Sequence, residues 1–206
     1  MPPAAPDFGP EIENYASYQG RRDCDPTAKP GPIGFCDLVL RAYPGTTDLG
    51  VGRACGGGRT EHTEGRAWDW GVDVETRGHL AADLLGWLLA TDRHGNPHAL
   101  ARRFGITRII WNGRIWESYR ARVGWTPFSG PNPHTDHVHF GFGWAGARRE
   151  TTWWTHPAVL QAQWAADPGV ADLGPPDLGP AAPGAAGPGA VACAARSRCP
   201  VRPSGV

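Results

Sequence analysis

Asp136-His137-Val138-His139-Phe140-Gly141-Phe142-Gly143-Trp144 is the stretch from which the rest of the chain can be read. A strand places alternate residues on opposite faces, so His137, His139, Gly141 and Gly143 share one side. Val138, Phe140, Phe142 and Trp144 take the other and can pack on a core. The small glycines leave open space beside the two imidazoles. One histidine on such a strand is ordinarily a core or surface residue. Two on the same face, next to a carboxylate, point to a metal or catalytic site.

A second segment has the matching design. In Ala67-Trp68-Asp69-Trp70-Gly71-Val72-Asp73-Val74, alternation puts Trp68, Trp70, Val72 and Val74 on an apolar face. Ala67, Asp69, Gly71 and Asp73 fall on the small, polar one. Asp73 is either a supporting group beside Asp69 or a solvated strand end. Upstream lie the glycine-dense stretch 50–58 and His62.

The remaining periodicity predicts an α+β fold: an antiparallel sheet with flanking helices. Phe35, Leu38, Val39 and Ala42 recur at helical spacing over 33–43, and Pro44-Gly45 stops that helix. Residues 79–91 form an amphipathic helix with Leu80, Leu84, Trp87 and Leu88 inward. Asn96-Pro97 reads as an N-cap and first-turn proline for a short helix ending near Phe104-Gly105. Asn112-Gly113 between 106–111 and 114–119 is a strong hairpin signal, because both turn positions need positive φ. A last helix is predicted near 157–166. Residues 1–15 read as a loose arm, 16–166 as the single domain, and 167–206 as a disordered tail rich in Pro, Gly and Ala.

At 206 residues the chain is long enough for one well-buried domain. Its charges balance and it has no basic run, which argues against nucleic acid as a partner. No apolar run approaches the roughly 20 residues of a membrane span. The N-terminal ten residues lack the pattern of a signal peptide. Of the five cysteines, none forms a C-x-x-C pair. One bridge is expected among Cys24, Cys36 and Cys55, with Cys24 and Cys55 suited to tie the arm to the glycine loop. Cys193 and Cys199 suit a second bridge. Disulfides imply an oxidising compartment, so the expected location is extracellular.

His62 and Asp69 are the natural complements of His139. Two imidazoles and one carboxylate form a ligand set for catalytic zinc, with a fourth position left for water. Asp136, three residues before His139, is then the general base, and His137 stabilises the developing oxyanion. Other chemistries fall away. The P-C-x-x-C of zinc deaminases is missing, as are an H-E-x-x-H helix, a G-x-S-x-G elbow and a P-loop. His79, His94, His98 and His156 carry no partner pattern. His134 either lines the cleft or is a plain loop histidine, and the tryptophans are more often core than a sugar-stacking platform.

The same residues resemble a known family. His62-Thr63-Glu64-Gly65-Arg66-Ala67-Trp68-Asp69 is similar to the S-x-H-x-x-G-x-A-x-D signature of zinc D-alanyl-D-alanine carboxypeptidases, with Thr60 where serine is usual. Asp136-His137-Val138-His139 resembles their second motif, an acidic residue followed by H-x-H. This is the LAS superfamily, named for lysostaphin, the D-Ala-D-Ala peptidases and the sonic hedgehog signalling domain. Within it, roughly residues 17–165 look like a secreted actinobacterial and fungal branch.

The resemblance implies a hedgehog/D,D-peptidase-like fold with His62, Asp69 and His139 binding Zn2+, Asp136 as base and His137 as auxiliary histidine. It also implies a monomeric zinc metallopeptidase that hydrolyses a D-amino-acid-containing bond in a peptidoglycan stem peptide. Arg53, Arg59 and Arg66 are candidates for the arginine that would receive a substrate carboxylate. The alternative is a zinc-containing cell-wall or ligand-binding module without turnover, as in hedgehog domains.

Overall fold

A computed structural model describes residues 1–156. Six strands form one open antiparallel sheet in the order β1-β2-β6-β3-β4-β5. They are β1 (Thr47–Asp48), β2 (Ala67–Gly71), β3 (Ile106–Trp111), β4 (Arg114–Glu117), β5 (Thr126–Pro127) and β6 (His137–Phe142). Helices are α1 (Pro30–Ala42), α2 (Val74–Leu89), α3 (Ala99–Phe104), α4 (Trp144–Ala147) and α5 (Thr152–Thr155). The predicted helix near 157–166, the tail 167–206 and the Cys193–Cys199 pair lie outside the described residues.

Register explains why one face is dry and the other chemical. Trp68 pairs with Phe140, Trp70 with Val138, and Ile109 with both Phe140 and Trp116. All of these are buried. Phe35 of α1 meets them edge-on, its ring centroid 5.8 Å from Trp68, 5.1 Å from Phe140 and 4.8 Å from Phe104 of α3. Such tilted pairs add to the area these rings remove from water. On the opposite face Asp69 pairs with His139, Ile110 with His139, and Arg108 with Gly141 and Glu117. The two expected strands are therefore neighbours, and their polar sides coincide.

The predicted elements sit close to where periodicity puts them, and the differences have local causes. The helix expected at 79–91 starts earlier, at Val74, because Asp73 accepts from the Glu75 and Thr76 backbone N–H groups. Asp73 is thus an N-cap, and Val74 leaves the predicted strand face. Trp144 leaves the other strand, since its N–H donates to Gln19 Oε1 at 2.8 Å and α4 begins there. The short helix begins at Ala99 rather than at the proline: Asn96 is bonded back to Asp92, and His98 takes a left-handed φ of 53°. The Asn112-Gly113 turn has φ of 46° and 69°, as the hairpin requires. Its second strand ends at Glu117, where Ser118 donates to the Ala16 carbonyl and a 3-10 helix follows.

Residues 1–15 hold no helix or strand but are tied at named points. Phe8 is buried under the Arg103 guanidinium, which donates to the carbonyls of Gly9 and Glu11. Beyond the arm, Cys24 and Cys55 form a disulfide that fastens the segment before α1 to the 50–58 loop. That bond is compatible with an extracellular protein. Among the described residues no helix is long and apolar enough to cross a membrane.

Candidate metal centre

Three elements deliver the central side chains. Asp69 comes from the middle of β2 and His139 from the opposite position on β6. His62 opens a short 3-10 turn, His62–Glu64, that ends at Gly65 with φ of 63°. A side chain at Gly65 would strike the Thr27 carbonyl, so glycine is required both for the turn and for the close approach.

His62 Nε2 lies 3.1 Å from Asp69 Oδ1 and 3.2 Å from His139 Nδ1, and His139 Nδ1 lies 2.9 Å from Asp69 Oδ1. All three residues are buried. Ligand atoms about 2.0–2.2 Å from a tetrahedral ion stand roughly 3.3–3.6 Å apart, so the triangle needs to widen by only a few tenths of an ångström.

Outer contacts decide which atoms carry protons. His62 Nδ1 is 2.8 Å from the Val51 carbonyl, which accepts only an N–H, so the lone pair of neutral His62 is on Nε2. His139 Nε2 faces the Glu61 carboxylate at 3.9 Å, which leaves the lone pair on Nδ1. Three acceptor atoms then point at one another. That arrangement is repulsive until a cation or a proton lies among them, and the donor set fits a divalent ion such as zinc. Burial alone would raise the Asp69 carboxyl. When a proton lies among the three atoms, hydrogen bonds and charge from the imidazoles of His139 and His62 outweigh it and hold Asp69 far below the ordinary carboxylate range. Burial pushes His139 down, which favours the neutral, ligating form.

The other predicted residues sit at the rim. His137 Nε2 is 3.8 Å from Asp69 Oδ1, and His137 Nδ1 is 2.7 Å from Asp136 Oδ1. The Asp136 side chain is 70% exposed, and His137 is the imidazole it contacts. His134 takes a left-handed φ of 55°, and its ring lies 4.7 Å from that of His137. It lines the cleft. Of the arginine candidates, Arg53 touches the site, its Nη2 donating to Asp69 Oδ2 at 3.3 Å while its side chain stays mostly exposed. Arg66 is buried against Glu64 and donates to the Phe142 carbonyl, so it cannot meet a ligand.

Sequence reasoning missed the groups behind the triad: the Val51 carbonyl, Glu61 and Arg108. The signals were available. Glu61 adjoins His62, and Arg108 is the one charge inside the segment 106–111.

An open antiparallel sheet with a buried His-Asp-His cluster on its polar face defines an α+β domain that could hold a metal ion. The chain belongs to the VldE C-terminal domain family, whose model matches residues 24–139. That span takes in the disulfide, all three members of the triad, Glu61, Asp136 and His137. No curated protein and no solved structure matches the chain.

Proposed function

We propose that this domain is a secreted zinc-dependent peptidase with a hedgehog/D,D-peptidase-like fold, hydrolysing a D-amino-acid-containing peptide bond in peptidoglycan. The observation that carries the reading is the convergence of His62 Nε2, Asp69 Oδ1 and His139 Nδ1 beside a further imidazole with its own carboxylate. The two motifs that resemble LAS peptidases supply the substrate class.

When bound, zinc would polarise the scissile carbonyl and acidify the attacking water. The protein's own groups then divide the work. His62, Asp69 and His139 would hold the ion. His137 presents Nε2 to the rim of the triad, because Asp136 accepts the proton-bearing Nδ1. Asp136 was the base expected from sequence, yet its exposed carboxylate lies against His137. His137 Nε2 is therefore placed to take the water's proton and return it to the leaving amine, with Asp136 orienting the ring.

The test is hydrolysis of a stem peptide ending in D-Ala-D-Ala by the zinc-loaded protein. His137→Ala should lower kcat by about 10²–10⁴-fold, the range for losing a general base. Asp136→Asn should cost less. An equal or larger loss from Asp136→Asn would return the base to Asp136. Failure of the loaded wild-type protein to cut any stem peptide would refute the peptidase reading.

A further inference from the structure

We propose that Glu61 is a positioning residue for the metal ligand His139, an inference that rests on the metal-binding part of the function proposed above.

The space for Glu61 is written into β6. After His139 the next residue on the chemical face is Gly141, and a methyl group there would come within 3.1 Å of Arg108 Cγ and 3.5 Å of Glu61 Cδ. The glycine leaves room for the buried Glu61 and the partly buried Arg108 directly beside the imidazole. The Glu61 carboxylate is divided between them. Oε1 lies 3.5 Å from Arg108 Nη1, and Oε2 lies 3.9 Å from His139 Nε2. Arg108 is held in turn by Glu117 at 3.6 Å and by the Tyr119 hydroxyl at 3.4 Å, and Tyr119 donates to Glu117. Behind His139 stands a chain of alternating charge, anchored on the hairpin strands.

Stability alone gives little reason for that arrangement. A buried ion pair often contributes nothing net over apolar packing, because both ions are removed from water. Its placement gives a better one. The contact at 3.9 Å is a charge contact rather than a hydrogen bond. It favours an N–H on His139 Nε2, leaves the Nδ1 lone pair toward His62 and Asp69, and makes that lone pair more basic. Each ligand then has its own outer partner: the Val51 carbonyl for His62, Arg53 for Asp69, and Glu61 for His139. Glu61 and His62 are sequential, so one short turn supplies a ligand and the support of the ligand opposite.

The experiment is the dissociation constant for zinc, measured by competition with a chelating indicator and independent of any peptidase activity. Glu61→Gln should weaken zinc binding by about 10–100-fold, the usual cost of losing an outer-shell partner. Arg108→Gln, which keeps the carboxylate beside His139, should weaken it less. Should Glu61→Gln fail to fold, Glu61→Asp draws the charge back by one methylene and should weaken binding in the same direction. A merely structural carboxylate would lower the thermal midpoint while leaving the zinc affinity of the folded variant at the wild-type value. That result overturns the inference and leaves the metal site standing. A wild-type protein that takes up no zinc overturns both.

Discussion

At the scale of single residues, the account turns on where protons sit. Asp69 is held far below its ordinary range by His139 and His62 despite its burial. Glu61 is also lowered, because Arg108 and His139 outweigh the cost of burying it. A carboxylate with a depressed folded pKa adds stability above its unfolded value, and that stability is lost as the pH falls through the folded value. The metal-free protein should therefore lose thermal stability progressively as the pH falls below about 5, with the loss continuing through the strongly acid range. Glu61→Gln should flatten that decline when midpoints are compared across the range. A slope unchanged by the substitution would show that Glu61 titrates alike in both states. The residue types of the site were readable in sequence, since His62, Asp69 and His139 do converge. The contact of the Asp136 carboxylate with His137 was not, because the direction of that side chain depends on where β6 begins.

At the scale of elements, period-two alternation located β2 and β6 correctly, and the register then brought Asp69 opposite His139. What alternation could not supply was where each strand stops. Val74 and Trp144 continue their patterns perfectly, yet Asp73 caps a helix at one end and Gln19 captures a backbone N–H at the other. The Gln19 contact is 125 residues distant in sequence, and no local pattern encodes it.

The hairpin was legible because its turn chemistry is local, and it does more than join β3 to β4. The Asn112 and Gly113 N–H groups donate to the carbonyls of His134 and Pro133, fixing the loop that leads into the histidine strand. Gly113→Val forces a branched side chain into a left-handed conformation and should cost about 1–2 kcal/mol in denaturant unfolding. An unchanged midpoint would mean that the turn relaxes without disturbing the loop.

For the whole molecule, the sheet separates two kinds of work. One face buries tryptophan and phenylalanine against α1 and α3 and holds the strands rigid. The other presents a charged chain running from Glu117 through Arg108 and Glu61 to His139, and on to Asp69 and Arg53. The Cys24–Cys55 bond closes the ring of supports by pinning the loop that carries Val51 and Arg53. The central claim is that this scaffold exists to hold one divalent ion between His62, Asp69 and His139. Its most direct test is metal stoichiometry of the purified protein after equilibration with zinc and desalting. The account predicts about one zinc per chain for the wild type and none for Asp69→Ala, with both proteins folded. A folded wild-type protein that emerges free of zinc, or an Asp69→Ala variant that still carries one equivalent, would contradict it.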